Sequence, residues 1–292
     1  MTVLVTGATG TIGAELTGLL VEDRLPVKAL SRSSDRFSQN FGNGVEAVAA
    51  DLEDAAVLER AMTGVETLVL ITPAAANAVR QAACVIEAAR RGGVRKIVRI
   101  SAIKASLDGP TDNTRKHAQT EADIIESGLD YVILRPNFFM QNMFLAAEQI
   151  AKTHAFSFAA GQGRMGMIDA RDIALCAKFC VQTNDWNGQT LELTGPETIS
   201  FDEVAACLSK YLERPIRYNP MSPQAAFDFV EGAGWGEWTA ALTRDYGAAY
   251  ASGFGDFITE NVSLLTGKAP RTFEAFASQV FLPALNSGDP DQ

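Results

Sequence analysis

The first 130 residues contain no tyrosine, and none of the five tyrosines in the chain has a lysine four positions later. The first 130 residues therefore offer no phenol as a proton donor. Histidine is also scarce, with only His117 and His154. The four cysteines, Cys84, Cys176, Cys180 and Cys207, form no Cys-x-x-Cys pair. Cys176 and Cys180 fall on one helix face, but two histidines are too few to complete a metal site around them, so no metal is expected. Each cysteine sits in an apolar helical pattern and reads as a buried free thiol, which fits a reducing cytoplasm. No apolar run reaches the length of a membrane span. The start of the chain shows no basic-then-apolar leader, so no signal peptide is expected. Positive charge is in deficit: 25 Lys and Arg against 35 Asp and Glu leave a net charge of -10. Such a surface repels phosphate backbones and argues against nucleic-acid binding. The basic cluster Arg90, Arg91, Arg95, Lys96 and Arg99 straddles a helix end, where cations complement the helix dipole.

What is present is alternation, without any internal repeat. Short apolar segments at 2–6, 26–30, 45–49, 67–71, 96–101 and 131–134 read as strands. Helical spacing fills 11–23, 54–62, 75–91 and 114–127 between them. Alternating βα units with unbroken apolar strands predict a doubly wound parallel α/β sheet. The pattern changes after about residue 137, with short strands at 155–159 and 190–193 and helices at 171–182 and 200–212. The stretch 222–282 is mainly helical. The expected organisation is a nucleotide-binding domain over 1–150, rejoined by elements up to about 195. A smaller substrate-covering region follows over 151–285, and a flexible polar tail over 286–292.

Residues 6–13 read Thr-Gly-Ala-Thr-Gly-Thr-Ile-Gly, directly after the first strand and into the first helix. Gly7 allows the tight turn, Gly10 a close approach to a pyrophosphate, and Gly13 close packing of helix on sheet. The helix N-terminus adds free N–H groups for the anion. Gly7, Ala8, Thr9, Gly10, Thr11, Ile12 and Gly13 are thus candidates to bind a dinucleotide. The second strand ends Leu30-Ser31-Arg32-Ser33-Ser34, with Arg36 nearby and no acid to hold ribose hydroxyls. Ser31 and Arg32 suit a 2′-phosphate, so NADP(H) is expected over NAD(H).

Together, TGATGTIG, Ser31-Arg32, Ala50-Asp51-Leu52, Ser101-Ala102 and the segment LRPNFFMQN at 134–142 resemble the NmrA-like atypical branch of the short-chain dehydrogenase/reductases. The resemblance covers about residues 1–210 well and the last 80 poorly. It implies that Asp51 and Leu52 lie beside the adenine, that Thr72 and Pro73 line the cofactor, and that Pro136 and Asn137 lie near the nicotinamide. Plainer roles stand beside these: Asp51 as a helix cap and Pro136 as a strand terminator.

The departure from that family's usual pattern is catalytic. Its Tyr-x-x-x-Lys helix corresponds to 114–127, where Asn113 and His117 take the matching positions. Asparagine cannot supply a proton. His117 is a candidate donor near neutral pH, Lys116 a candidate for the lysine role, and Ser101 for the usual catalytic serine. Structural roles for all three remain open. Phe138, Phe139, Asn142 and Met143 after the sixth strand, with Met167 and Trp235 from the C-terminal part, are candidates for an apolar substrate pocket. Met140, Phe144, Met165, Phe227 and Trp238 belong to the same apolar set, with core packing as the alternative. Asp169 reads as a helix cap.

Direct hydride transfer needs no dedicated acid when the acceptor is already electrophilic. The expectation is an NADPH-dependent reductase of a small hydrophobic quinone, imine or iminium ion, dye or enone. A non-catalytic NADP(H)-binding redox sensor, and an isomerase or lyase on the same fold, are the alternatives. The expected partner is that small substrate, with a homodimer left open.

Overall fold

A computed structural model describes residues 1–32 and 44–287. Ser33, Ser34 and Arg36 of the expected phosphate-binding turn lie outside them, as do residues 288–292 of the expected tail. Strands β1 (Val3–Thr6), β2 (Val27–Ser31), β3 (Val45–Ala49), β4 (Thr67–Leu70), β5 (Lys96–Ile100) and β6 (Asp130–Pro136) alternate with helices α1 (Thr11–Glu22), α2 (Ala55–Met62), α3 (Ala78–Arg91) and α4 (Asp112–Glu126). Helix α5 (Ala147–Thr153), the two-residue strands β7 (Ala155–Phe156) and β8 (Arg164–Met165), and helix α6 (Ala170–Gln182) follow. Next come β9 (Gln189–Leu193), β10 (Ile199–Ser200), α7 (Phe201–Leu212), β11 (Arg217–Tyr218), α8 (Pro223–Gly232) and α9 (Glu237–Ala251). The last helices include α10 (Asn261–Thr266) and the final turn Leu282–Ser287, so residues 286 and 287 close a helix.

The seven-stranded sheet runs β3-β2-β1-β4-β5-β6-β9, and every pairing is parallel. This is the α/β architecture the alternation predicts. Strands β1, β4 and β5 are buried at every residue, because helices cover both faces. Leu16 and Leu20 of α1 join Ile173 and Ala177 of α6 on one face. Leu58 and Met62 of α2 join Val85 and Ile86 of α3 on the other. A third apolar core lies beyond the sheet, where Phe156, Phe201, Phe276 and Phe281 gather with Met143 and Met167.

The strand order reverses between β1 and β4, so their carboxyl ends diverge into a crevice. A reciprocal bond pins that point. The Thr6 hydroxyl donates to the Ile71 carbonyl at 2.8 Å and accepts from the Ile71 amide at 2.8 Å. Both partners are backbone groups with no other strand to bond. Thr6→Val keeps the shape and removes both bonds, and a loss of about 1–3 kcal/mol in unfolding free energy by urea titration is expected. An unchanged midpoint would remove the clamp from this account.

Candidate active site

The glycine turn leaves β1 with Gly7 at φ +61°. A Cβ on Gly13 would stand 2.2 Å from the Gly7 carbonyl oxygen, so no other residue fits there. Gly10 caps α1 without any side-chain bond, and the first helical turn carries no acid. The first amides of α1 and the positive end of its dipole are therefore left to an anionic ligand. A cradle closed to side chains beside uncapped amides fits a pyrophosphate. At its edge, the Thr9 and Ser31 hydroxyls lie 3.0 Å apart and tie the loop to the end of β2. Arg32 is exposed next to them. Leu52 is buried while Asp51 is exposed. Asp51 accepts from the Glu53 amide, and the cap of α2 is Asp54, whose carboxylate accepts from Val57.

Beyond the loop a cavity of about 540 Å³ opens over the carboxyl ends of β4, β5 and β6. Ile12, Thr72, Ser101, His117, Pro136 and Asn137 meet there with Phe138, Phe139 and Asn142. The Asn142 side chain makes no hydrogen bond with the described residues, so its amide is free for a ligand. The structure does not bring Met143, Met167 or Trp235 to the cavity. Met143 and Met167 are sealed in the third core, and Trp235 is 58% exposed on the surface. Lys116 is also displaced. Its ammonium pairs with Asp112 and stands 5.4 Å over the Trp238 ring, away from the cavity wall. Pro136 ends β6, as a terminator would. Asn137 is a tie rather than an open contact: its amide donates to the Gly255 carbonyl at 2.9 Å, and its oxygen accepts from the Phe138 amide. Asp169 caps α6, as expected.

The floor of the cavity is electrostatic. Arg99 is 1% exposed and has no carboxylate within hydrogen-bond distance among the described residues. It donates to the Leu70 carbonyl at 3.1 Å, to the Thr72 hydroxyl at 2.9 Å and toward His117 Nδ1 at 3.2 Å. It is thus no helix-end cation, contrary to the reading from sequence. Lys96 is buried too and donates to the carbonyl of Thr183, just past α6. Burial lowers the Arg99 guanidinium to about 10, so it stays charged at neutral pH. Because Arg99 only donates, His117 Nδ1 accepts and Nε2 carries the proton. Burial, then Arg99 and Arg135, hold the imidazole well below its usual range. His117 therefore presents a neutral N–H at pH 7 and is not the protonated acid envisaged from sequence. Ser101 gives its hydroxyl proton to Glu121 at 2.5 Å, and Arg135 holds the same carboxylate. That proton is not available to a substrate.

Residues that sequence reasoning missed come from α9. Leu242, Thr243, Tyr246 and Tyr250 close the cavity from above. Tyr246 and Tyr250 are four apart and share a helix face. That spacing was visible in the sequence, whereas the surface the helix would meet was not.

The sign of the pH dependence follows from His117. Unfolded histidine takes a proton near its ordinary value, and the folded site does not. Stability contributed by the neutral ring is present above that value and is lost as pH falls below it. His117→Asn should flatten the loss of unfolding free energy between pH 7 and 5, read by urea titration at each pH. An unchanged slope would place the titration elsewhere.

Residues 7–183 match the NAD(P)H-binding family. An NAD(P)H azoreductase from Xenophilus azovorans is 34% identical over 275 residues, covering 94% of this chain and 96% of that protein. Among solved structures, an NADPH-dependent quinone oxidoreductase from Escherichia coli, complexed with NADPH, superposes with a TM-score of 0.86 at 25% identity, covering 96% of this chain and 99% of that one. NmrA, a negative transcriptional regulator, superposes at 0.80 with 17% identity over 98% and 97%, a likeness of fold alone. No described helix is long and apolar enough to cross a membrane.

Proposed function

The chain belongs to the NAD(P)H-binding family, and from that premise we propose that this oxidoreductase uses NADPH to reduce small hydrophobic electrophiles: quinones, imines or iminium ions, dyes and enones. The observation that carries the reading is the cavity at the β4–β6 ends, apolar on most sides with a few neutral hydrogen-bond donors. Its size falls within the range of small-molecule sites. The names of the similar azoreductase and quinone oxidoreductase agree with it.

Gly7 to Gly13 and the amides of α1 would hold the pyrophosphate, and Ser31 with Arg32 the 2′-phosphate. When bound, the reduced nicotinamide supplies the hydride. The aromatic walls of Phe138 and Phe139 exclude water and press a flat acceptor into the crevice. The His117 Nε2–H, held by Arg99, stabilises negative charge that develops on an acceptor oxygen or nitrogen. Asn142 offers a second polar contact. The four unpaired thiols suit a cytoplasmic setting.

Steady-state assays with NADPH should show acceptor-dependent cofactor oxidation with a quinone, an azo dye, a cationic triphenylmethane dye or a cyclic enone. Cofactor binding without oxidation by any of these would favour a sensor, and product formed without net NADPH consumption an isomerase or lyase. Arg32→Ser should weaken NADPH binding about tenfold, roughly 1.4 kcal/mol, and change NADH binding far less, by fluorescence titration. Equal losses for the two cofactors would remove the 2′-phosphate contact.

A further inference from the structure

We propose that Tyr246 is the proton donor of this site, reaching from α9 the place on α4 where Asn113 stands. The proposal rests on the reductase reading above and deepens it.

Asn113 and His117 are one helical turn apart on α4, and both face the cavity. Residues at that spacing are neighbours, with Cβ atoms about 5–6 Å apart. The Asn113 amide donates to the Tyr246 hydroxyl oxygen at 3.0 Å. An amide N–H₂ only donates, so the phenol oxygen accepts in this contact and retains its own proton to give. The hydroxyl thus sits beside the cavity about one turn from the His117 imidazole, with a fixed donor behind its oxygen.

Three other candidate proton donors at the cavity, Tyr250, Ser101 and His117, have no proton to give. Tyr250 is buried, and its hydroxyl donates to Asn137 Oδ1 at 3.5 Å. The Ser101 proton lies on Glu121. His117 could release its Nε2 proton only by becoming an imidazolate, so it holds an acceptor atom without protonating it. Burial raises the Tyr246 phenol, while the Asn113 bond pulls in the opposite direction. The group is therefore a neutral acid whose conjugate base keeps the Asn113 donor. The ring is also held in place, 5.9 Å from that of Tyr250 at an interplanar angle of 25°.

For a quinone, the acceptor gains a hydride from the reduced nicotinamide, and a carbonyl oxygen gains electron density. The Tyr246 Oη–H bond breaks as the new O–H bond forms on that oxygen, which gives hydroquinone and a phenolate. Asn113 bonds the phenolate until solvent returns a proton. A cationic triphenylmethane dye differs: hydride alone neutralises it, and no proton is consumed.

The test compares the two acceptors in Tyr246→Phe. Turnover of a benzoquinone should fall about 100-fold, within the usual range for losing a general acid, and turnover of the cationic dye by a much smaller factor. Asn113→Leu, which keeps the phenol and removes its donor, should show the same selectivity with a smaller quinone loss. A second readout needs no cofactor. 4-Nitrophenol bound in the cavity should ionise at lower pH in the native protein than in Tyr246→Phe, read from its visible absorbance. Equal losses for quinone and dye, or an unchanged nitrophenol titration, would overturn the proposal. If the native protein reduces neither acceptor, the reductase reading fails, and the nitrophenol titration still decides whether Tyr246 donates into the cavity.

Discussion

The chemistry of the cavity depends on one buried charge. Arg99 sits inside the sheet without a carboxylate, and one of its nitrogens, Nε, has no partner at all among the described residues. Removing a guanidinium from water costs several kcal/mol, and neutral acceptors return only part of that. Three neighbours share the compensation: the end of β4 through Leu70, the first residues beyond it through Thr72, and α4 through His117. The charge thereby ties two strands and a helix together at the mouth of the crevice. It also sets the tautomer of His117 and helps keep the ring neutral. An acidic partner for Arg99 would relieve the desolvation cost, but it would also cancel the positive field beneath the acceptor site. The nearest acid, Glu121, is instead taken up by Ser101 and Arg135.

What could be read in the sequence was whatever local physics decides. The glycine turn was legible because a carbonyl 2.2 Å from a built Cβ leaves no choice at position 13. The parallel strands were legible because burial on both faces makes them continuous apolar runs. The cap at Asp169 follows from a side chain that bonds an amide two residues away. Strands β7, β8, β10 and β11 were the harder case. With two residues each, they carry no period, and the expected strand over 155–159 shrank to Ala155–Phe156.

The misplaced pocket residues share one cause. Helical or apolar spacing says that a face is buried, and it does not say against what. Met143 and Met167 are as buried as expected, but they serve the third core with Phe156 and Phe201. Lys116 precedes His117 on α4 by one residue, and that rotation of about 100° carries it to Asp112 and Trp238. Arg99 looked like part of a surface cluster because Arg90, Arg91 and Arg95 around it are surface residues paired with Glu87, Glu59 and Glu66. Its alternation on a strand buried on both faces marked it as different, but only a sheet with helices on each side turns that alternation into burial.

The same distinction explains why the proton donor was invisible. A Tyr-x-x-x-Lys pair is local, since both groups stand on one helix and the spacing declares them. Here Asn113 and Tyr246 are 133 residues apart, joined only because α9 closes over α4. Moving the phenol onto a covering helix has a chemical consequence. A phenol and lysine on α4 would be rigid with the cofactor floor and would suit carbonyls that need protonation to react at all. A phenol carried by the cover is positioned with the acceptor instead, and the floor contributes only neutral donors over a buried cation. Such a site favours acceptors that take hydride first and a proton second. That order matches an apolar cavity in which no ionisable group is needed to bind the substrate.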